Sequence, residues 1–385
     1  MSDSSAIQKL GMPKWGLSMT EGRLVDWLVE DGTELTVGDE VAEVETEKIN
    51  GVVEAPAAGT LRRRVASVGD VIPVGGLLGV IADASVPDAD IDAFIAEFEA
   101  SFVPGEAEED AGPVAETVTI DGATLRFLHH TPSDAAHPPG EPLVLLHGFG
   151  GDLNNWLFNA EALAAERAVY ALDLPGHGES TKQVGEGDLD ALVDVVVAFL
   201  DSQDLSRVHL AGHSMGGLVA AAVALRAAER VLSLTLVDSA GLGEEIDREY
   251  VEGFVAATGR RDLKPVLQRL FASPELVNRQ MVDDVLRYKR LDGVQEALAA
   301  ISGQLFPDGR QRHVLADDLG SLDAPVLVVW GEADEVIPVA HAQSAPEGAH
   351  VQVLEGAGHS PHMEQAGRFN ELLARFLQEA AVRSG

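Results

Sequence analysis

A serine between glycines is the first feature of the chain that could do chemistry. Residues 211–217 read Ala-Gly-His-Ser-Met-Gly-Gly. A short apolar run precedes them and an Ala/Leu-rich run follows, which predicts a buried strand, a sharp turn and a helix. Glycines at 212 and 216 allow such a turn, and the start of a helix favours a developing oxyanion. The pattern predicts that Ser214 is a nucleophile, while an ordinary strand-to-helix turn remains the alternative.

A lysine in a predicted turn is the second candidate. The chain repeats itself at an offset of 37 residues, because Gly22, Gly32, Val37, Gly38 and Val41 recur as Gly59, Gly69, Val74, Gly75 and Leu78. Apolar alternation and regularly spaced glycines within each copy predict short strands. Two such β halves, packed face to face, would form a flattened barrel or sandwich. The turn between the halves, at residues 44–51, would present Lys48.

The segment from residue 12 to residue 81 resembles a lipoyl domain of the 2-oxo-acid-dehydrogenase complexes. Glu45-Thr46-Glu47-Lys48-Ile49 is similar to its lipoylation turn, so the resemblance implies lipoate attached to Lys48. The related biotinyl domains flank their lysine with methionines, and Glu47 and Ile49 therefore favour lipoate. The chain has no cysteine, so any thiol it uses must come from a cofactor or a substrate. An exposed hairpin lysine without a function is the alternative.

Strand and helix patterns alternate over the rest of the chain. A hairpin is expected around Asp121-Gly122. Buried strands are expected at residues 142–146, 168–172, 207–210, 232–237, 325–330 and 350–354, and helices at 156–166, 189–200, 218–228 and 369–380. Such alternation predicts a mostly parallel sheet covered on both faces. Residues 244–318 contain several helical runs and no strand pattern, and they predict a helical cap over the edge of the sheet where ligands bind.

This part of the chain resembles the α/β-hydrolase fold. His147-Gly148-Phe149-Gly150 is similar to the oxyanion loop of that family. The resemblance implies that the backbone N–H groups of Phe149 and Met215 form an oxyanion hole. It also implies Asp334 as the catalytic acid and His359 as the base, and the order Ser, Asp, His is the order of this fold.

The residue types suit acyl transfer. A serine hydroxyl becomes a good nucleophile when a base takes its proton, and histidine can do so near neutral pH. The carboxylate of Asp334 would orient the imidazole and stabilise its cation. Neighbouring residues of the same types remain alternatives for the base and for the acid: His362, Glu332 and Glu335.

Composition excludes several classes of function. The chain has 385 residues and a formal net charge of −36, which argues against binding to nucleic acid or to an anionic membrane. No apolar run approaches the length that spans a bilayer, and the N-terminus lacks the features of a signal peptide. We therefore expect a cytoplasmic protein. No His/Cys cluster indicates a metal site, and no complete dinucleotide-binding motif occurs.

An acidic segment separates the two parts of the chain. Residues 84–115 contain nine acidic and no basic residues, and Pro, Gly and Ala dominate their second half, which predicts a flexible linker. Five apolar residues within it are spaced so that they would lie on one face of a helix: Ile91, Phe94, Ile95, Phe98 and Phe102. Such a short amphipathic helix would pack on a neighbouring domain or dock a partner subunit. The expected domains are therefore residues 1–83, this linker and residues 116–385.

The combined architecture resembles the dihydrolipoyl acetyltransferase (E2) components of acetoin dehydrogenase complexes that carry an α/β-hydrolase domain. The resemblance implies acetyl transfer from S-acetyl-dihydrolipoyl-Lys48 to coenzyme A. It also implies a thiamine-diphosphate-dependent E1 and the dihydrolipoamide dehydrogenase (E3) as partners, and a homo-oligomer. The chain departs from ordinary E2 proteins, because it has neither their His-x-x-x-Asp-Gly motif nor a basic subunit-binding domain.

Two other functions fit the same residues. The second domain could be an esterase or thioesterase that delivers the acyl group to water and releases a free acid. Alternatively, the protein could be a lipoyl shuttle whose hydrolase-like domain only holds partner enzymes together. The product formed with and without coenzyme A distinguishes a hydrolase from the acetyltransferase. Substitutions in the triad distinguish a shuttle, which would keep its activity, from either enzyme.

Overall fold

The chain folds into two compact units, residues 1–114 and 115–385. The computed structural model describes residues 7–13, 19–46, 50–102, 114–132 and 140–384. The first unit is built from antiparallel strands, and the second is built around a mixed sheet with helices. These architectures confirm the expected fold class of an all-β domain joined to an α/β-hydrolase domain.

Eight short strands form two four-stranded antiparallel sheets in the first unit. The strands are β1 (Ile7–Gly11), β2 (Glu21–Trp27), β3 (Glu34–Leu35), β4 (Glu40–Glu45), β5 (Asn50–Glu54), β6 (Gly59–Arg64), β7 (Val71–Pro73) and β8 (Leu77–Ala82). One sheet has the order β1-β8-β6-β3 and the other β5-β4-β2-β7. Alternate apolar side chains of both sheets are buried between them, and Leu24, Val41, Leu61 and Leu78 are fully inaccessible to solvent.

The two sheets confirm the sequence repeat. The strands β2, β3 and β4 of the first copy correspond in order to β6, β7 and β8 of the second copy. Replacing each strand by its counterpart converts one sheet order into the other, with β1 and β5 as the remaining pair. The glycines at equivalent turns, Gly32 and Gly69, both have positive φ angles of 92° and 95°. The repeat therefore encodes two equivalent β halves.

A helix, α1 (Asp88–Ser101), follows the last strand of the first unit. Its apolar stripe packs on the sheet, because Ile91 is fully buried in a cluster with Leu77, Val80 and Ala82. Ion pairs of Arg62 and Arg63 with aspartates of the helix lie alongside. The expectation of a flexible linker from residue 84 is therefore corrected: the part up to residue 102 belongs to the first unit, whose own apolar face covers the stripe.

Eight strands form the central sheet of the second unit. They are β9 (Glu116–Ile120), β10 (Ala123–His130), β11 (Gly140–Leu146), β12 (Arg167–Leu172), β13 (Val208–His213), β14 (Val231–Val237), β15 (Val326–Gly331) and β16 (His350–Leu354). The order is β16-β15-β14-β13-β11-β12-β10-β9. The six strands β11 to β16 are parallel to one another. The strands β9 and β10 form an antiparallel hairpin at one edge, and β10 pairs with β12. The hairpin turns at Asp121 and Gly122, both with positive φ.

Helices cover the sheet and form the cap. Five lie close to the expected positions or at the chain's end: α2 (Leu157–Leu163), α3 (Leu189–Ser202), α4 (Met215–Arg226), α10 (Pro361–Glu364) and α11 (Ala366–Ser384). Five more lie between β14 and β15, where the cap is expected: α5 (Arg248–Ala256), α6 (Arg260–Gln268), α7 (Arg279–Lys289), α8 (Val294–Leu305) and α9 (Ala316–Leu319). No helix among the described residues combines the length and apolar character that crossing a lipid bilayer requires.

Polar side chains set the start of two helical segments. A turn of 3-10 helix at Leu153–Trp156 precedes α2, and Asp152 and Asn155 cap it reciprocally. The start of α7 is fixed by Asn278, whose side chain accepts a hydrogen bond from the Met281 N–H at 2.8 Å. In both places a polar cap sets the first residue of the helix, which apolar periodicity alone does not define.

Candidate active site

Ser214 lies at the turn between β13 and α4, as the glycine pattern predicts. Its backbone has φ 53° and ψ −118°, an unusual conformation for a residue other than glycine. A Cβ atom at Gly212 would lie 2.2 Å from the Gly216 carbonyl oxygen, and one at Gly216 would lie 2.3 Å from the carbonyl oxygen of Leu146. Only glycine fits either position, so the close approach of strand and helix holds Ser214 in this strained conformation.

His359 and Asp334 form a hydrogen-bonded pair. His359 Nδ1 lies 2.8 Å from Asp334 Oδ2, and both side chains are almost fully buried. Backbone N–H groups of Val336 and Ile337 donate to the other carboxylate oxygen at 2.7 and 2.9 Å. These bonds fix the carboxylate, which in turn fixes the orientation of the imidazole ring.

The hydrogen bonds also stabilise the charge of the acid. Burial acts to raise the pKa of Asp334, but the charge and the hydrogen bond of His359 outweigh it, so the pKa lies below its usual value. An ionised Asp334 accepts the Nδ1–H of His359, so the other ring nitrogen, Nε2, is the one that faces away from the carboxylate. Nε2 is buried and has no hydrogen-bond partner among the described residues. This nitrogen makes no hydrogen bond to Ser214 Oγ in this structure and is the ring position open to a proton.

The loop after β11 lies against the serine turn. A Cβ atom at Gly148 would lie 3.1 Å from the Ser214 Cβ atom, which shows how closely the two segments pack. Within the described part of the chain, the N–H groups of Phe149 and Met215 have no hydrogen-bond acceptor. Tyr250 of the cap donates its hydroxyl hydrogen to the Phe149 carbonyl oxygen at 3.0 Å. The loop therefore packs against the serine turn at Gly148, and Tyr250 fixes it from the cap.

The alternative acid and base candidates occupy other environments. His362 is completely buried, with its ring centroid 4.5 Å from that of Trp156, and burial lowers its pKa to about 3. Glu335 is exposed, and Glu332 is exposed at the surface beside the Gly356 N–H. Neither glutamate is hydrogen-bonded to His359 in the described structure, whereas Asp334 is.

Two further residues lie near the pair, and of these Asp238 was not singled out from the sequence. Asp238 follows β14 and is fully buried; its Oδ1 accepts the Gly331 N–H at 2.9 Å. Ligating atoms of Asp238, Asp334 and His359 lie within 4.8 Å of one another. His213, next to the serine, has its Nε2 2.7 Å from the His359 carbonyl oxygen. It therefore supports the backbone of the base.

Asp238 and Asp334 form a pair of neighbouring buried carboxyl groups. Burial, followed by the charge and hydrogen bond of Asp334, raises the pKa of Asp238 well above its usual value. Oδ2 of Asp238 has no hydrogen-bond partner among the described residues. Two adjacent buried carboxyls cannot both ionise at low cost, so the neutral form of Asp238 is favoured. The signal for Asp238 in the sequence was its position directly after a parallel strand.

Lys48 lies outside the described residues. The strands on either side of it are described: β4 and β5 pair in antiparallel register with Glu45 opposite Asn50. Lys48 is one of the four residues that connect these positions in the chain.

Comparisons with known families agree with both units. Residues 141–366, more than half of the chain, match the family described as the alpha/beta hydrolase fold. Residues 8–81 match the biotin/lipoyl family, described as "Biotin-requiring enzyme". A solved meta-cleavage product hydrolase from Pseudomonas fluorescens has a TM-score of 0.62 at 24% identity, covering 69% of this chain and 98% of that one. The second unit is therefore an α/β hydrolase in fold, joined to a biotin/lipoyl domain.

Two curated proteins match nearly the full length. The dihydrolipoyllysine-residue acetyltransferase component of the acetoin cleaving system from Pseudomonas putida is 51% identical over 376 residues, covering 97% of this chain and 100% of that protein. The protein of the same name from Cupriavidus necator is 49% identical, covering 97% and 98%. The chain therefore belongs to the family of acetyltransferase components of acetoin cleaving systems, which confirms the resemblance found in its motifs.

Proposed function

We infer that this chain is an acyltransferase that moves an acetyl group from S-acetyl-dihydrolipoyl-lysine to coenzyme A. It acts as the acetyltransferase component of a multienzyme system for acetoin catabolism. The observation that carries this function is the match over 97% of the chain to two proteins of that name. Neither domain alone specifies the function, because a lipoyl domain only carries groups and an α/β hydrolase supports many reactions.

The first half of the reaction uses the serine as nucleophile. Ser214 Oγ attacks the carbonyl carbon of the acetyl thioester while His359 Nε2 takes the hydroxyl proton. The N–H groups of Phe149 and Met215 stabilise the negative oxygen of the tetrahedral intermediate. The carbon–sulfur bond then breaks, and His359 returns the proton to the departing sulfur. The products are an acetyl ester of Ser214 and a free thiol.

The second half repeats these steps with coenzyme A. His359 takes the proton of the incoming thiol, whose sulfur attacks the ester carbonyl. The ester bond breaks, the proton passes to Ser214 Oγ, and acetyl-CoA leaves. Asp334 stabilises the imidazolium in both halves. A direct route is the alternative, in which His359 deprotonates the coenzyme A thiol and no acetyl-serine forms.

The first unit fits a covalently attached lipoyl group at Lys48. The paired residues Glu45 and Asn50 hold the two ends of the connection that contains Lys48, and a lysine amine can form an amide with the carboxyl group of lipoate. When attached, the lipoyl group supplies the dithiol that accepts and releases the acetyl group. The chain itself has no cysteine that could do so.

The multienzyme setting suggests further partners. We propose that a thiamine-diphosphate-dependent E1 loads the acetyl group and that a flavin-dependent E3, the dihydrolipoamide dehydrogenase, reoxidises the dithiol. A homo-oligomer would place several acetyltransferase units in one complex. These assignments rest on the family's place in an acetoin cleaving system.

The test uses protein co-expressed with lipoylating enzymes. S-acetyl-dihydrolipoamide is supplied with and without coenzyme A, and acetyl-CoA, acetate and the intact mass of the protein are measured. We expect acetyl-CoA with little acetate, and a lipoyl mass that disappears in Lys48→Ala. Acetate formed at the same rate with and without coenzyme A would identify a hydrolase. Complex activity that survives Ser214→Ala and His359→Ala but not Lys48→Ala would identify a shuttle with a scaffolding domain.

A further inference from the structure

Positive charge is concentrated on part of the cap. The chain has a net charge of −36 and 27 Lys and Arg residues. Eight of those basic residues lie between positions 259 and 292, with only five acidic ones: Arg260, Arg261, Lys264, Arg269, Arg279, Arg287, Lys289 and Arg290. The cap helices α6 and α7 therefore form a locally basic region on an acidic protein.

A cavity lies between these two helices. Its volume is about 420 Å³, and it is lined by Arg260, Asp283, Leu286, Arg287 and Arg290. This volume falls within the range of small-molecule sites. The lining holds three guanidinium groups and a single carboxylate, so its net charge is positive.

The three arginines differ in how they are held. Arg260 makes two hydrogen bonds with the Asp283 carboxylate, of which Nη2 to Oδ2 measures 2.8 Å. Arg287 pairs with Asp284 at 2.7 Å, yet 70% of its side chain is exposed. The Arg290 guanidinium forms no ion pair with any residue that the structure describes. Free N–H groups therefore remain for an anionic ligand, and the fork of a guanidinium matches a phosphate.

Helix α7, which contains Arg287 and ends just before Arg290, also contacts a residue that packs on Phe149 of the oxyanion loop. Leu286 is buried in the same apolar cluster as Phe149 and Phe254. Lys289, on the next turn, donates to the Phe254 carbonyl oxygen, and its Nζ lies 4.8 Å from the Phe254 ring centroid. The rings of Phe254 and Phe149 are 5.8 Å apart. One aromatic residue thus connects α7 to the loop beside Ser214.

We propose that the cavity lined by Arg260, Arg287 and Arg290 binds the phosphate groups of coenzyme A. This site rests on the proposed function, which makes coenzyme A the acetyl acceptor. The 3′-phosphate and the diphosphate of coenzyme A are anionic at neutral pH, and an acidic protein repels them except where its surface is positive. The proposal requires the pantetheine arm to extend from this cavity to the triad.

The position of the arginines also has a purely structural explanation. Arg287, Lys289 and Arg290 lie at the C-terminal end of α7, where positive charge stabilises a helix. In that case, their removal would change the stability of the cap and leave the affinity for coenzyme A unaltered. Direct binding measurements on folded protein therefore distinguish the two roles.

The first arm of the test measures binding by calorimetry to the full-length protein. The probes are coenzyme A and adenosine 3′,5′-bisphosphate, which carries phosphates but no thiol. We expect Arg287→Ala and Arg290→Ala each to raise the Kd of both probes about tenfold, the loss of a charge-assisted hydrogen bond. Arg248→Ala is the matched control, because Arg248 is an exposed cap arginine, paired with Glu252, that does not line the cavity.

The second arm measures transfer from S-acetyl-dihydrolipoamide to coenzyme A and to pantetheine, which has the same thiol without the nucleotide. The ratio of kcat/KM for coenzyme A to that for pantetheine should fall about tenfold in Arg287→Ala and Arg290→Ala. The same ratio should not change in Arg248→Ala.

The outcomes separate the site from the function. If acetyl-CoA forms but the arginine variants keep the wild-type Kd and ratio, or Arg248→Ala weakens binding equally, the cavity is not the site and the proposed function stands. If coenzyme A binds with the expected losses but no acetyl-CoA forms, the site stands and the proposed function fails. If coenzyme A neither binds nor is acetylated, both are overturned.

Discussion

The two units differ in the residues that they offer for chemistry. In the first unit, the proposed attachment residue Lys48 belongs to the short connection between two strands, and the unit contains no histidine. In the second unit, Ser214, His359 and the Asp334 side chain are almost entirely buried. All twelve histidines of the chain also lie there, and many of them are buried.

This difference reflects what each unit must do. A carrier needs a scaffold that holds one attachment point, and the paired strands β4 and β5 hold the two ends of the connection that contains Lys48. A catalyst must fix several groups against one another and keep water away, since charges interact more strongly in a buried site. Strained backbone, buried carboxyls and neutral histidines accordingly accumulate in the second unit.

The largest expected effect tests the division between carrier and catalyst. With free S-acetyl-dihydrolipoamide as donor, Ser214→Ala should lower kcat by about 10⁶-fold, as removal of a triad nucleophile does elsewhere. Lys48→Ala should lose the lipoyl mass but keep this reaction with the free donor. Steady-state kinetics and intact mass provide the measurements. A residual rate within tenfold of wild type in Ser214→Ala would instead support the direct route.

A somewhat smaller loss is expected at the acid. Asp334→Asn should lower kcat by about 10⁴-fold, because an amide no longer holds the required tautomer of His359. The exposed neighbour provides the control, and Glu335→Gln should retain wild-type kcat. The two variants are compared in the same coenzyme A transfer assay. Equal losses in both would show that Asp334 has no special role.

The buried histidines predict an acid sensitivity specific to the second unit. The pKa of His362 is lowered to about 3 by burial, against about 6.5 in an unfolded chain. The unfolded state therefore takes up the proton first, and stability present above pH 6.5 is lost as the pH falls. Between pH 7 and pH 5, protonation of this residue in the unfolded chain lowers the free energy of unfolding by about 2 kcal/mol.

His362→Phe should remove that loss while preserving an aromatic ring between Trp156 and Phe369. The free energy of unfolding is measured by urea titration with limited proteolysis, which assigns fragments to each unit. As the pH falls from 7 to 5, the free energy of unfolding of the second unit should fall less in the variant than in wild type. The first unit should unfold in the same way in both proteins. The same difference between variant and wild type at both pH values would contradict the prediction.

The smallest effect concerns the neutral carboxyl. Asp238→Asn keeps a donor for Asp334 and an acceptor for the Gly331 N–H, so kcat should change by no more than about threefold. Because the pKa of Asp238 is raised, the wild-type protein loses stability as the pH rises from about 4 towards that pKa. The asparagine variant should therefore gain relative stability between pH 5 and pH 8, as urea unfolding would show. A hundredfold loss of kcat would mean that the carboxyl itself is required.

Local patterns predicted the features that local chemistry determines. The repeat, the hairpin at Asp121-Gly122 and the serine turn each depend on glycine or turn residues at fixed spacing. The amphipathic pattern of α1 predicted its apolar face but not the surface that it covers, because periodicity carries no information about the partner. For this reason residues up to 102 were assigned to a linker.

Asp238 illustrates what was missed and could have been found. It directly follows β14, which lies between β13, the strand before Ser214, and β15, the strand before Asp334. The carboxyl ends of adjacent parallel strands meet at one edge of the sheet, so the position of Asp238 in the sequence is enough to make it a candidate for the active site. Its protonation depends on burial beside a second carboxyl, which only the folded structure defines.

The strand order of the first unit has a consequence for how its two copies depend on each other. Each sheet takes two strands from one side of the Lys48 connection and two from the other: β1 and β3 join β6 and β8, while β2 and β4 join β5 and β7. Neither half can complete a sheet alone, because each sheet needs strands from both halves. A backbone cut in the connection would leave two fragments that still need each other, and separately made fragments should complement one another to rebuild the domain.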